Sequence, residues 1–174
     1  GATTTSVTLS GESIDATKPT ITGVTVADGT YKIGDTATVT ITAGNTETGL
    51  TVSSATFNGE TLSSLTDAGG GSYTGVYTVV EGNTDVADGG DAVVSLAFTD
   101  AAGNVGATTT SVTLSSESID ATKPTISAVS IPDSAMNIDD VVTATITVGN
   151  AAGQVLTLSS GTIGGFTLGS LSRV

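Results

Sequence analysis

The sequence predicts an all-β fold in which two-sheet sandwich units follow one another along the chain. Thr, Val, Ser and Ala alternate with period two in short runs, and Gly, Asp and Asn cluster between the runs, which is typical of strands joined by turns. Residues 1–21 also return as residues 106–126 with one change, Gly11 to Ser116, so the chain carries a 105-residue repeat. Near-identical units placed head to tail are a way of building length.

The repeat divides the chain into three parts. Residues 1–16 match the last strand and linker of a preceding unit, residues 17–121 form a complete unit, and residues 122–174 match the first half of a following unit. The last part lacks counterparts of two strands of the complete unit, so inward residues such as Ile146 and Val148 should be uncovered. We expect the polypeptide to continue beyond Val174, although a second molecule supplying strands and a disordered half unit are alternatives.

The strands of the complete unit follow from the alternating runs. They are expected at 20–28, 36–43, 50–57, 61–65, 73–80, 92–99 and 105–115. Seven strands in about 100 residues is the size of an immunoglobulin-like β-sandwich. The Gly-rich run at 69–71 has no following Lys or helix, so it predicts a hairpin connection rather than a phosphate loop.

Alternation also predicts which side chains enter the core. In the strand at 36–43 these are Ala37, Val39 and Ile41, and in the strand at 92–99 they are Val94, Leu96 and Phe98. In the first strand, Ile21 has the opposite parity to Val24 and Val26. A bulge or sheet switch near Gly23 would turn all three inward.

Composition excludes several classes of function. The chain has 17 acidic and 4 basic residues, a net charge of −13, and neither Cys nor His. Such a charge disfavours nucleic acid and anionic membrane surfaces as partners, and no apolar run reaches the roughly 20 residues of a membrane-spanning helix. Without His or Cys, no nucleophile and base pair can be nominated, so we expect no enzyme. Abundant carboxylates instead favour a hard cation, Ca²⁺, which binds about six to eight oxygens.

Two motifs carry a family resemblance. The stretch FTDAAGNV at 98–105, followed by SIDATKPTI at 118–126, resembles bacterial Ig-like repeats of very long surface adhesins of the repeats-in-toxin class. The resemblance implies an extracellular stalk on the bacterial cell surface, used in adhesion or biofilm formation, often with Ca²⁺ at the junctions between domains. Neighbouring repeats of the same polypeptide would be its partners, and the ligand of the whole adhesin is not indicated.

Candidate calcium ligands gather at both ends of the expected unit. At the entry end, the linker supplies Glu12 and Asp15, and the loops supply Asn45, Glu47, Asp67, Asp100 and Asn104. We expect Asp15, Asp100 and Asn104 to form one junction site, with Asp120 repeating Asp15 at the next junction. The alternative for Asp100 and Asn104 is that they cap a tight turn without metal.

The exit end is more acidic still. It should hold Asp28, Asp35, Glu81, Asp85, Asp88, Asp91, Glu117 and Asp120. Asp28 and Asp88 are the favoured ligands there. The stretch 81–91 lacks the register of an EF-hand, so a solvated acidic loop is as good an interpretation as a second calcium site.

The pattern favours a calcium-stiffened structural spacer. One alternative is a glycan-binding Ig-like module, which the absence of Trp makes weaker. Another is a self-assembling extracellular coat or filament subunit, in which the out-of-phase ends pair between molecules.

Overall fold

The computed structural model describes residues 6, 8–44, 49–150, 156–158, 160–169 and 172. The chain forms two compact units, Gly1–Ala121 and Thr122–Val174. The first unit contains β1 (Ile21–Val26), β2 (Gly29–Lys32), β3 (Thr36–Ala43), β4 (Thr51–Phe57), β5 (Glu60–Thr61), β6 (Ser63–Gly69), β7 (Ser72–Thr78), β8 (Asp91–Thr99), β9 (Thr109–Thr113) and β10 (Glu117–Asp120). The second contains β11 (Thr125–Ser130), β12 (Thr145–Gly149), β13 (Thr162–Ile163) and β14 (Phe166–Thr167). The described residues include no helix, and so none that could span a membrane.

The first unit is an immunoglobulin-like β-sandwich, as the sequence predicts. One four-stranded sheet has the order β1-β3-β7-β6 and the other β5-β4-β8-β9. Their inner faces enclose one apolar core. In it Phe57 packs against Tyr77 with ring centroids 4.9 Å apart, and Tyr73 packs against Phe98 at 4.8 Å, each pair of rings being inclined by 55°. These large rings fill a core whose other members are aliphatic side chains of Ala, Val, Leu and Ile.

The parity predictions are confirmed. Ala37, Val39 and Ile41 in β3 are buried, as are Val94, Leu96 and Phe98 in β8. The register of β1 on β3 shifts between Ile21 and Gly23. This bulge lets Ile21 pack with Val24 against the core.

Three parts of the predicted strand list differ from the structure. The short strand predicted at 61–65 is divided between β5 in one sheet and β6 in the other. The first strand does not run from 20 to 28, because the chain leaves the first sheet after Val26 and forms β2 from Gly29. The crossing is closed by the Tyr31 hydroxyl, which donates to the carbonyl oxygen of Ala27 at 2.6 Å. The linker after the last predicted strand also contains a strand that was not predicted, since residues 117–120 form β10, parallel to β2.

The described residues of the second unit form two separate strand pairs. Strands β11 and β12 pair antiparallel, and β13 pairs with β14. Among the described residues after Ala121, none is buried. Ile126, for example, is 60 % exposed, whereas its counterpart Ile21 packs against the core of the first unit.

Candidate functional site

The turn between β8 and β9 holds two of the predicted ligands in a closed hydrogen-bonded arrangement. The carboxylate of Asp100 accepts the backbone N–H of Asn104 at 2.8 Å through Oδ1. Its Oδ2 accepts the side-chain amide of Asn104 at 2.9 Å. Gly103 completes the turn, with a φ of 94° that favours glycine. The turn-capping role proposed for Asp100 and Asn104 is therefore present in the structure.

Asn104 also connects this turn to the segment that precedes the domain. Its amide nitrogen Nδ2 donates to the backbone carbonyl oxygen of Asp15 at 3.3 Å. The carboxylate of Asp15 accepts the backbone N–H of Thr17 at 2.9 Å. The structure thus brings Asp15, Asn104 and Asp100 together, as the sequence predicts.

The environment of Asp100 favours its ionised form. Burial raises the pKa of the carboxyl, but hydrogen bonds from Asn104, Ala102 and Gly103 outweigh burial and hold the pKa below its ordinary value. An ionised carboxylate beside a backbone carbonyl is the kind of oxygen pair that a hard cation binds.

The remaining predicted ligands are more dispersed. Glu12 accepts the backbone N–H of Ser10 at 2.7 Å, and Asp120 lies half-buried in β10, opposite Lys32. Asp28 and Asp88 are exposed. Glu47 and Asn45 lie outside the described residues. Among the residues that are described, no three acidic side chains come together as a metal-holding group.

The donors at the entry junction fit Ca²⁺ in kind. They are the carbonyl oxygen of Asp15, the carboxylate of Asp100 and the side-chain amide of Asn104. Asp15 and Asp100 present oxygens, whereas Asn104 presents Nδ2 to both of them, so its side chain would have to turn Oδ1 toward a cation. None of the three residues is a soft ligand. Their number is below the usual calcium coordination, so water or other residues would have to complete a site there.

The structure also shows an exit site that the sequence analysis missed. Strand β10 lies parallel to β2 on one side. On its other side Ile119 and Val86 exchange backbone hydrogen bonds of 2.8 and 2.9 Å. Beyond the strand, the backbone N–H of Ala121 donates to Asp85 Oδ1 at 2.6 Å, and the carbonyl oxygen of Ala121 accepts from Gly82 N at 3.3 Å. We call this surface, formed by β2 and residues 82–86, the exit groove.

A buried polar network ties the exit groove to the core. The Tyr77 hydroxyl donates to Asn83 Oδ1 at 2.9 Å and accepts Asn58 Nδ2 at 3.1 Å. Asn83 Oδ1 also accepts the backbone N–H of Val80, and Asn83 Nδ2 donates to Glu60. Removal from water raises the pKa of Tyr77, so its hydroxyl stays protonated and can donate. The signal that could have revealed the exit groove was the stretch ESIDA, which occurs in both copies with an apolar Ile at its centre.

The fold and the two sites define a structural immunoglobulin-like module. The segment before β1 is bonded to the turn after β8, and the segment after β9 is paired with β2. A family model described as "Bacterial Ig-like domain" matches residues 15–116, more than half of the chain. The chain therefore belongs to the bacterial Ig-like domain family. Such domains are commonly found in extracellular or surface proteins and are typically non-enzymatic structural modules. Comparisons with curated proteins and with solved structures gave no match.

Proposed function

We propose that this chain is a stretch of the spacer, or extender, region of a bacterial cell-surface adhesin of the repeats-in-toxin type. Tandem units would hold a distal binding domain away from the cell, for adhesion or biofilm formation. The 105-residue repeat supports this role, because identical units add length and repeat the same junction. Membership of the bacterial Ig-like family supports a surface-protein module.

The observation that carries the proposal is that the connecting sequence is part of the domain. Ile119 and Ala121 are buried in the exit groove, and both edges of β10 make backbone hydrogen bonds. A flexible Gly/Ser linker would let successive domains reorient freely. A connection that leaves its domain as a paired strand has a fixed starting direction instead, which suits a stiff stalk.

Calcium at the entry junction is the second part of the proposal. When bound, it would neutralise part of the net charge of −13 and join the segment before the domain to the turn after β8. The carbonyl oxygen of Asp15 and the carboxylate of Asp100 would hold it, because both lie within hydrogen-bond distance of the same Asn104 amide nitrogen. Asn104 would join them through Oδ1 once its side-chain amide turns over. Asp120 would repeat the role of Asp15 at the next junction.

Small-angle scattering of a polypeptide with several consecutive units tests both parts. A spacer should show a maximum dimension that grows in proportion to the number of units. Calcium should increase the maximum dimension further. It should also raise the melting temperature relative to chelator, because a ligand that binds only the folded state, at a hundredfold excess over its Kd, adds about 2.7 kcal/mol per site to the free energy of unfolding.

Matched variants separate the two parts. Asp100→Asn should abolish the calcium response, whereas Asp35→Asn, which removes the same charge from the exposed pair with Lys32, should keep it. A particle that stays compact as units are added would overturn the spacer. Equal melting temperatures in calcium and chelator, with an elongated particle, would overturn only the calcium part.

A further inference from the structure

The turn between β4 and β5 consists of Asn58 and Gly59. Phe57 pairs with Glu60 across it, and the two turn residues have φ of 48° and 90°, as a tight two-residue hairpin requires. Asn followed by Gly is also the pair that most readily loses its side-chain amide in a polypeptide, because glycine leaves its backbone nitrogen unshielded. The hairpin therefore contains a chemically labile asparagine.

The second unit has the same kind of turn without an asparagine. Strands β13 and β14 are joined by Gly164 and Gly165, whose φ values are 59° and 87°. Two glycines thus form the same tight hairpin. The asparagine at position 58 is therefore explained by what its side chain does and not by the backbone of the turn.

The side chain of Asn58 is a buried hydrogen-bond donor. The residue is 4 % exposed. Its Nδ2 donates to the carbonyl oxygen of Thr84 at 2.9 Å and to the hydroxyl of Tyr77 at 3.1 Å. That hydroxyl has one proton, which it donates to Asn83 Oδ1 at 2.9 Å. Both partners of Asn58 are therefore acceptors, and the two protons of the amide serve both.

The folded unit opposes loss of this amide. In that reaction the backbone nitrogen of Gly59 gives up its proton and attacks Cγ of Asn58, so that an N–Cγ bond forms and the Cγ–Nδ2 bond breaks. Ammonia leaves with the proton, and water then opens the remaining succinimide ring to aspartate or isoaspartate. In the folded unit the two hydrogen bonds of Nδ2 hold the side chain in place, and burial keeps water and base away from it.

The product does not fit the position that the amide leaves. An aspartate would turn a carboxylate oxygen toward the carbonyl oxygen of Thr84 with no proton between them, and the single proton of Tyr77 is already bonded to Asn83. A buried charge without a donor is strongly destabilising. Isoaspartate would lengthen the main chain by one methylene within a two-residue turn, which changes the register of β5 on β4.

We propose that Asn58 is a conditional modification site, converted to aspartate or isoaspartate while the unit is unfolded and protected while it is folded. A unit that stays unfolded long enough for the ring to form and open regains the sandwich only with a large loss of stability. Conversion at one residue thus makes prolonged unfolding irreversible.

The first test compares the wild-type chain in buffer and in guanidinium chloride, at the same mildly alkaline pH and temperature, with peptide mapping by mass spectrometry. Conversion of Asn58 should be slower in buffer by about a hundredfold or more, because only the small unfolded fraction reacts. Asn137, which is exposed and precedes Ile138, is the internal control and should convert slowly in both. Equal rates for Asn58 in the two conditions overturn the proposal.

The second test measures whether the fold rejects the product. Wild-type chain aged in guanidinium chloride is diluted to a concentration just below its unfolding midpoint and given a short pulse of protease. The surviving fragment that contains residue 58 should hold about tenfold less product than the sample before the pulse, because an unsatisfied buried polar group shifts the folding equilibrium at least that far. Equal product content before and after the pulse also overturns the proposal.

Two variants at this position complete the design. Asn58→Gly has the residue found at Gly164 and no amide to lose, so ageing should leave its yield of folded chain unchanged, while the wild-type yield falls at the rate of conversion. This variant keeps every other Asn and Asp and so controls for damage elsewhere; a fall at the wild-type rate would assign the loss to another residue. Asn58→Asp should unfold at a lower guanidinium concentration than Asn58→Gly, and an equal or higher midpoint would contradict rejection of the product.

Discussion

The strand pairs β1–β3 and β11–β12 are the same structure in two settings. Val24 pairs with Ile41 in the first unit, and Val129 with Ile146 in the second. The bulge occurs at the same position in both, and so does a hydroxyl that bonds to the opposite strand, from Thr22 at 3.3 Å and Ser127 at 3.2 Å. The burial differs, because among the described residues only the first unit has a strand such as β7 and a facing four-stranded sheet beside this pair.

This difference separates two kinds of information in the sequence. Register, bulge and parity are local, since two strands with a matching pattern reproduce them without a core. Burial is collective, because a strand pair with one apolar face needs another layer to cover it. Matched substitutions in the two units measure how much this burial contributes to the free energy of unfolding.

The largest effect is expected from Ile41→Ala compared with Ile146→Ala. Ile41 is fully buried, so its truncation should lower the free energy of unfolding by about 2–5 kcal/mol, whereas Ile146→Ala should leave the first unit unchanged. Tyrosine fluorescence during urea unfolding reports the first unit alone, because Tyr31, Tyr73 and Tyr77 all lie there. Equal losses from the two substitutions would show that the units are not independent.

A smaller loss is expected from Tyr77→Phe. The ring would remain, but the side chain of Asn58, which is buried, would lose an acceptor and Asn83 a donor. An unsatisfied buried polar group costs about 1–3 kcal/mol. Tyr31→Phe is the control, since its hydroxyl makes an exposed hydrogen bond to Ala27. If both variants lose equal stability in urea unfolding, the buried network has no special role.

Protonation of Asp100 should weaken the first unit. Its pKa is lowered in the folded state, so its contribution is complete above the unfolded-state pKa of about 3.9 and is lost as pH falls through the lower folded-state value. Asp100→Asn should flatten the dependence of unfolding free energy on pH in this acidic range. Asp133→Asn, an exposed change in the second unit, should preserve the wild-type slope. If Asp100→Asn leaves the pH dependence of the unfolding free energy unchanged, the pKa of Asp100 is not lowered in the folded state.

The smallest effect is expected from Gly23→Ala, which gives the first unit the residue that the second unit has at the equivalent position. Ala128 occupies the equivalent position of the β11 bulge. An added Cβ at Gly23 would lie 3.7 Å from Thr42 Oγ1, an ordinary contact. Urea unfolding should show no loss, and a gain of up to about 1 kcal/mol from the stiffer unfolded chain. Gly44→Ala is the contrasting variant and should be destabilising, since its Cβ would overlap Thr20 and Thr22. If Gly23→Ala clearly lowers the free energy of unfolding, the two bulges differ in structure.

The contrast between local features and features that need a second layer also explains how far the sequence could predict the structure. Strand β3 at Thr36–Ala43, the Gly69–Gly71 hairpin turn and the bulge at Gly23 are local features, and all were predicted with correct positions. Strand β10 was missed because four residues without strong alternation become a strand only when β2 and Val86 lie on either side.

The candidate site follows the same rule. The approach of Asp15 to Asn104 could be predicted, since Ig-like topology places the turn after β8 near the point where the chain enters. The Asp85 contact with Ala121 could not, because it joins residues whose proximity depends on the pairing of β10. Calcium binding stays a prediction for every proposed ligand: Asp15, Asp100, Asn104, Glu12, Glu47, Asp28, Asp88 and Asp120.

The parallel ladder between β2 and β10 also has a mechanical consequence. Both strands run in the same direction, and their register joins Glu117 with Gly29 and Asp120 with Lys32. A pull directed along β10, out of the domain, strains the evenly spaced bonds of a parallel ladder together. A pull across the same ladder would break those bonds one after another, at a lower peak force. The parallel pairing of β10 with β2 should therefore resist tension along β10. A hairpin pulled apart from its open end would resist less, because its hydrogen bonds would break one after another.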